Sequence, residues 1–521
     1  MKKNLIIKAF IVAVLAGSLV SCAKKLDLVP TNDITTEKVY STAAGYKQVF
    51  AKVYGAFALT GNQGPAGNGD VQGIDEGTSD YLRLFWKAQE LSTDEAVVGW
   101  GDVGIQDFHN MNWTPGNVFL KGLYYRSLYQ ITLANDFIRE SADEKLSSRG
   151  ISGTDADNIR KFRAEARFLR AYQYWSLLDL FGSVPFVTEA DLIGSTPKQA
   201  SRATLFAYVE SELKAIDGTL AAPKSNEYGR ADQAADWALL ARLYLNAQVY
   251  TGTARYADAI TYANKVIAVT GYSLIASYPQ LMLADNQQNT SEFIFTINYD
   301  GAKTQGYGGT TFLTHAPVGG SMSASNFGIS GGWGGLRTTK NLPALFTTAG
   351  DTRAQFYTAG QNLEIKDIGT FTDGYAVTKY RNVTRAGAAG SSLDFADVDF
   401  PLFRLSEIYL IHAEAALRSS NATETAAALL NINKIRTRAN AGVLAAITLD
   451  NILDERGREL YWEGFRRTDL IRYGKFTDAS YLWPFKGGVA GGKGVEAFRT
   501  IYPLPTSDLT ANPNLVQNPG Y

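Results

Sequence analysis

The most specific chemistry in this sequence belongs to a thiol. Cys22 is the single cysteine of the 521 residues and follows Leu19-Val20-Ser21 at the end of an apolar run. Lys2 and Lys3 precede that run, Lys8 interrupts it, and Ser21 is the small residue a signal peptidase needs before its cut. A thiol at that point is what a lipoprotein signal requires, because it accepts a diacylglycerol and becomes the new N-terminus. The run is shorter than the roughly 20 apolar residues of a membrane span. Residues 1–21 are therefore predicted as a lipoprotein signal peptide and 22–34 as lipid anchor and tether. Acylation of Cys22 leaves no thiol nucleophile in the chain.

Other reactive side chains fall in unproductive patterns. His109, His315 and His412 are far apart and share no zinc-ligand spacing, and His412, within a helical pattern, reads as a satisfied core residue. No Ser-centred G-x-S-x-G elbow occurs. The run from Gly487 to Gly494 (G-x-x-x-x-G-K-G) lacks the Ser or Thr of a phosphate loop. Asp394, Asp397 and Asp399 have the chemistry of calcium ligands, but the Gly and closing Glu of an EF-hand loop are missing, so a solvated acidic turn is expected. No cofactor or metal is assigned on this basis; calcium alone would suit the acids, at no assignable position. A glycosidase needs only two carboxylates at the right separation, which 51 acidic residues leave open.

Composition narrows the class of protein. Without Lys2, Lys3 and Lys8 the chain keeps 47 basic against 51 acidic residues, and no basic patch speaks for nucleic acid. A body without cysteine has no disulfides and must rely on a large core. The 28 tyrosines and 8 tryptophans exceed what a core usually needs, and such rings, apolar with a polar handle, favour binding surfaces.

The elements that would position these residues are mainly helices. Helical periodicity runs from Thr35 through Phe57, from Leu120 to Ile138, from Arg160 to Phe181 and from Leu205 to Leu220. Trp237, Leu240, Ala241 and Tyr244 fit the opening of a tetratricopeptide helix, with Tyr256, Ala259 and Ala263 in its partner. A similar pair spans Leu405 to Leu417 and Ala426 to Ala439. Trp175, Trp237 and Trp462 have helical spacing and are expected in the core. One last helix, Leu449 to Tyr473, carries alternating charges that read as a salt-bridged face. Residues 301–335 hold eleven glycines with Tyr307, Phe312, Phe327 and Trp333 among them, a surface loop rather than a helix. The expected fold is mainly α: a tetratricopeptide-like scaffold of helical pairs with long irregular loop insertions carrying short strands. A single large domain is expected over 35–521, with helices mainly at 35–60, 120–270 and 400–475 and a loop-rich ligand-binding face at 61–119 and 280–400.

Several stretches together resemble the SusD/RagB family, outer-membrane lipoproteins that Bacteroidetes use in glycan uptake. They are Cys22, 163–172 (RAEARFLRAY), 180–185 (LFGSVP), 403–410 (FRLSEIYL), 435–439 (IRTRA), 454–460 (DERGREL) and 502–505 (YPLP), spread over nearly the whole length. The resemblance implies a non-enzymatic protein, lipid-anchored at the outer membrane and facing the cell surface. Such a protein binds oligosaccharides and acts as a lid on a TonB-dependent transporter of the SusC type. Residues 73–80 (GIDEGTSD), 91–95 (LSTDE) and 99–102 (GWGD) are similar to the starch-binding branch in particular. In that branch two Trp and one Tyr cradle a curved α-glucan beside an Arg and an Asp. Trp100 and Trp333 match the tryptophans, and Asp75 and Arg83 match the polar pair. Tyr307 is the expected third ring, with Tyr299 as the alternative. Ordinary loop packing is the competing role for the tryptophans. Their flanking glycines speak against it, giving close backbone approach without side-chain neighbours. The alternative function is a peptide-binding or structural lid subunit of such a transporter, for which Trp100 would matter little.

Overall fold

The computed structural model describes residues 35–61, 63–65 and 69–521. The signal peptide, Cys22 and the whole of the tether lie outside these residues. The fold is mainly helical, as the periodicity predicts. Its principal helices are α1 (Ala43–Ala58), α2 (Tyr81–Glu90), α3 (Val118–Glu140), α4 (Gly153–Leu180), α5 (Arg202–Ile216), α6 (Gln233–Leu245), α7 (Tyr256–Ile267), α8 (Gly309–His315), α9 (Leu405–Arg418), α10 (Ala422–Arg438), α11 (Leu449–Leu460) and α12 (Arg466–Arg472). Side-chain caps set many of the starts. Thr42 accepts from Gly45 N at 3.1 Å, Asn117 from Leu120 N at 3.1 Å, Asp232 from Ala235 N at 3.1 Å and Thr448 from Asn451 N at 3.2 Å. No described helix is long and apolar enough to cross a membrane.

Helical pairs stack in sequence order. α1 packs on α3 and α4, α4 on α5, α6 on α7, and α9 on α10 and α11. α7 packs directly on α9, so residues 268–404 leave the stack and return to it without breaking it. Short strands tie the excursion down. β1 (Val97–Val98) and β3 (Leu336–Arg337) pair antiparallel, Val97 opposite Arg337, while β2 (Phe293–Ile297) pairs with β4 (Phe400–Arg404).

Several expectations need correction. Residues 301–335, expected as surface loop without a helix, contain α8, all seven residues of which are buried. The first helix divides into a turn, Thr36–Val39, and α1, because Thr42 caps a new start. The region 61–119, expected as loop, contains α2. All ten residues of α2 are buried, and its polar side chains Arg83, Lys87 and Glu90, which recur at helical spacing, face the interior rather than water. The charged stretch 449–473 is two helices, α11 and α12, parted by a turn in which Trp462 (φ 62°) and Gly464 (φ 83°) are left-handed. Trp462 is core as expected, but on this turn rather than on a helix.

Most of those charges are also not on a solvated face. Glu455, Glu459, Glu463, Arg466, Arg467 and Asp469 are buried in a network with residues from distant elements. Arg353 meets Glu455 at 2.7 Å, Arg404 meets Glu459 at 2.6 Å and Glu463 at 2.7 Å, Lys379 meets Glu463 at 2.6 Å, and Arg436 meets Glu455 at 2.7 Å. Arg438 adds Glu292 at 3.1 Å, and Arg466 holds Asp94 at 2.7 Å. Nor is the acidic turn uniformly solvated. Asp394 is exposed, but Asp399 is buried and accepts from Tyr299 N and Tyr228 OH at 2.8 Å each, its pKa raised by burial to about 7.

Candidate functional site

The site is built from three segments that meet beside α2. The first is the start of α2 itself. Asp80 caps the helix, its Oδ1 accepting from Arg83 N at 2.8 Å, and the same oxygen accepts from Gly309 N at 2.8 Å. One carboxylate therefore fixes both the helix and the loop that leads into α8. Burial raises its pKa to about 6, against the opposing pull of those two N–H donors, Arg126 and Arg83. The close approach needs glycine: a Cβ on Gly308 would lie 2.1 Å from that of Asp80.

Arg83 follows on the first turn and is 8 % exposed. Its Nη1 donates to the carbonyls of Gly77 and Tyr307 at 2.8 Å each. The guanidinium carbon lies 4.7 Å from the ring centre of Phe312, 5.8 Å from Trp100 and 5.7 Å from Trp333. Burial lowers its pKa to about 10, which leaves it charged at neutral pH, while Asp80, Asp102 and Asp75 favour the charge.

The second segment runs from β1 through Gly99 and Trp100. Gly99 N donates to Gly335 O at 3.1 Å. Arg337 on β3 pins the neighbourhood by donating to the carbonyls of Gly335, Ile368 and Asp373 at 3.1, 2.6 and 2.8 Å. Trp100 is half-buried, its ring 6.1 Å from Phe312, and its Nε1 reaches Trp333 O at 3.4 Å. The backbone of Gly335 passes so near that a Cβ there would lie 2.2 Å from the indole.

The third segment is the glycine-rich loop. Its last turn is stitched to the end of α8, with Trp333 N donating to His315 O at 2.9 Å and Gly335 N to Ala316 O at 2.8 Å. The His315 ring lies 5.1 Å from that of Trp333 at 32°, and its own nitrogens face Thr311 O at 2.9 Å and Leu393 O at 3.2 Å. Trp333 is thereby the middle ring of three: Trp100 and Tyr307 each stand 6.4 Å from it, tilted by 47° and 58°.

Tyr307 is 39 % exposed and stands against Phe395 at 5.6 Å. Tyr299 is 8 % exposed, and its hydroxyl is sealed in without a partner, so of the two candidates only Tyr307 offers a ring to solvent. Asp75 is exposed on the loop before α2, across Gly77 from Tyr307: a Cβ on Gly77 would meet Asp75 Oδ1 at 3.3 Å and Tyr307 Cβ at 3.4 Å. Trp100, Trp333, Tyr307, Arg83 and Asp75 thus form one neighbourhood, although they come from segments more than two hundred residues apart.

Three supporting residues were not singled out by the sequence. Asp80 carries a readable signal, an Asp immediately before an apolar run. Phe312 stands out only as an aromatic among glycines. His315, weighed only as a metal ligand, supports the Trp333 ring instead. His412 is buried, with Nε2 2.6 Å from Glu424 Oε2.

Two sets of known families match the chain. Residues 348–521 match the SusD family, and residues 84–245 match a family described as "Starch-binding associating with outer membrane". The starch-binding protein SusD of Bacteroides thetaiotaomicron is 35 % identical over an alignment covering 98 % of each chain. SusD-like protein P38 of Formosa agariphila is 25 % identical over 100 % of this chain and 99 % of its own. Among solved structures, surface glycan-binding protein A from Bacteroides thetaiotaomicron in complex with laminarihexaose has a TM-score of 0.70 at 22 % identity, covering 91 % of this chain and 99 % of that one. A SusD-like carbohydrate-binding protein from Bacteroides fragilis has a TM-score of 0.72 at 19 % identity, covering 92 % and 100 %. These structural likenesses carry the shared fold. The near full-length identity to SusD carries more: this chain belongs to the SusD family.

Proposed function

We propose that this protein captures glycans at the cell surface, with starch and malto-oligosaccharides as preferred ligands, and delivers them to a TonB-dependent transporter of the SusC type at the outer membrane. The observation that carries the reading is the group of Trp100, Trp333 and Tyr307, three rings at 6.4 Å steps with neighbouring planes tilted by 47° and 58° rather than parallel. A flat row of rings suits a straight chain; a tilted row suits a curved α-glucan. A sugar ring has one C–H face, which an indole or phenol covers, for about 1 kcal/mol per contact beyond area burial. Its hydroxyl rim requires partners, and exposed Asp75 provides an acceptor. Arg83 acts chiefly from beneath, since Nη1 is occupied by two backbone carbonyls and Nη2 alone remains for a ligand. The guanidinium under the rings also fixes their relative positions. Two or three such platforms give affinities in the micromolar to millimolar range, weak enough for release to a transporter.

The reading receives support from the starch-binding name of the 35 % identical relative. The test is native affinity electrophoresis of the protein from residue 23 onward in gels containing starch, pullulan, laminarin, dextran, levan or xylan. Starch and pullulan are expected to retard the wild type, and Trp100→Ala and Trp333→Ala to abolish the retardation. Retardation by laminarin alone would replace the α-glucan by a β-glucan. Migration unaffected by every gel would overturn glycan capture.

A further inference from the structure

Arg83 is not the only cation that α2 directs toward the site. Lys87 stands one turn further along the same face. It is 1 % exposed. Its Nζ lies 3.9 Å from the ring centre of Phe119 and 5.8 Å from that of Phe312, the ring that also supports Arg83 and Trp100. No described residue gives it a hydrogen bond or an ion pair.

Other secluded lysines are treated differently. Lys379 has Glu463 at 2.6 Å and the Tyr461 carbonyl at 2.7 Å, and Lys486 donates to the carbonyls of Asp478 and Tyr481 at 2.7 and 2.8 Å. An amino group taken from water without acceptors is strongly unfavourable, and the Phe119 face restores only part of the loss. Lys87 is thus left with donors that nothing in the free protein uses.

Those donors are not sealed in. Nζ has no partner, yet it is not among the side-chain atoms that are both partnerless and closed to solvent, so the small surface Lys87 retains includes its amino group. Its amino group lies on the side of Phe312, the ring that also carries Arg83 and Trp100. Burial draws its pKa well below the ordinary 10.5, Arg83 acts in the same direction, and Asp102 and Asp75 oppose both. The same two carboxylates act on Arg83, so the two cations share their electrostatic surroundings.

We propose that Lys87 is a ligand-contacting residue of the glycan site, its amino group taking a sugar hydroxyl beside Arg83 and Phe312. The proposal rests on the glycan-binding reading of the aromatic arc. A hydroxyl both donates and accepts, so it satisfies this group as an ammonium or as an amine. A neutral, hydroxyl-rich saccharide is the matching ligand class.

The test compares wild type, Lys87→Met, Lys87→Gln and Trp100→Ala by calorimetric titration with maltoheptaose and by thermal denaturation. Both Lys87 variants are expected to raise Kd at least tenfold while Tm stays level or rises, because a partnerless buried amine is removed. A wild-type Kd in either folded Lys87 variant overturns the proposal, and a lowered Tm with that Kd makes Lys87 a packing residue. Wild-type binding that is lost in Trp100→Ala but intact in Lys87→Met sinks the role of Lys87 alone. A wild type that binds no glycan overturns the underlying reading and this proposal with it.

Discussion

Gly335→Ala tests the aromatic arc without removing a ring. The glycine has an ordinary negative φ, so alanine fits the backbone. Its Cβ, however, would lie 2.2, 2.3 and 2.5 Å from Cε2, Nε1 and Cζ2 of Trp100. Carbon atoms rest at about 3.5–4.0 Å, so the indole must retreat by more than about 1 Å. That movement breaks the 3.4 Å contact from Nε1 to Trp333 O and changes the 6.4 Å spacing of the two rings. Overpacking of this kind costs about 1–3 kcal/mol of stability. Loss of one platform removes about 1 kcal/mol of ligand contact, which corresponds to about a fivefold increase in Kd. The assay is titration with maltoheptaose beside starch-gel retardation. Gly331→Ala serves as control, because a Cβ at Gly331, in the same loop, meets nothing within 4 Å. Unchanged Kd in Gly331→Ala with weakened binding in Gly335→Ala is the expected pair. Wild-type affinity in Gly335→Ala would refute the claim that the Trp100 ring is a platform.

Other perturbations follow from the same geometry. Asp80→Ala leaves Arg83 N and Gly309 N without their acceptor and is expected to lower the unfolding free energy by about 1–3 kcal/mol, with weaker starch retardation; urea denaturation and gels read both. Lys379→Met removes one of the two cations on Glu463, leaving Arg404 at 2.7 Å, and is expected to cost about 1–3 kcal/mol in urea denaturation. Acid sensitivity has a specific source in Glu414. Burial alone would raise its pKa, but Arg472 and Arg418 outweigh it and hold the carboxyl at about 2 against 4.5. The unfolded chain takes up this proton first, so the contribution, about 3 kcal/mol, is complete above pH 4.5 and is lost as pH falls toward 2. Glu414→Gln should flatten the pH dependence of stability in that window; an unaltered slope would contradict the assignment.

What the sequence made legible was regularity sustained over several turns. α4, α6 and α9 repeat apolar side chains at three- and four-residue steps over 28, 13 and 14 residues, so they were visible although most of their residues are buried, and their boundaries are off by only a few residues, apart from a longer extension at the start of α4. α2 was missed although Arg83, Lys87 and Glu90 recur at helical spacing, because it is a run of ten residues between loops and its polar side chains face the interior instead of water. The charges of α11 misled for a related reason: alternating signs look the same whether they face water or buried arginines from remote segments. Within the site, Trp100 and Trp333 were assigned through the resemblance to the starch-binding branch, their flanking glycines serving only as the argument against loop packing. The structure gives those glycines a physical meaning at Gly335, where a side chain would occupy the place of the indole. The choice between Tyr307 and Tyr299 depended on which ring faces out, a tertiary property that spacing does not encode. Asp80 could have been read as a cap, but its second bond, to Gly309, joins residues 229 apart in sequence.

The buried ion network limits the ways in which these helices can be misassembled. Glu455 and Glu459 stand one turn apart on α11; they share Arg353, at 2.7 and 3.3 Å, and each has an arginine of its own, Arg436 at 2.7 Å for Glu455 and Arg404 at 2.6 Å for Glu459. A purely apolar helix could slide by one turn and exchange one leucine-sized contact for another at small cost. Here a slide that carried Glu455 to the place of Glu459 would bring Asn451 to the place of Glu455 and leave Arg436 of α10 in the interior without its carboxylate. Each such orphan is penalised by several kcal/mol. The network thus discriminates among packings that burial of apolar area alone would leave nearly equal, and it does so over the stack that supports the turn at Trp462 and, through Arg466 and Asp94, the strand leading to Trp100.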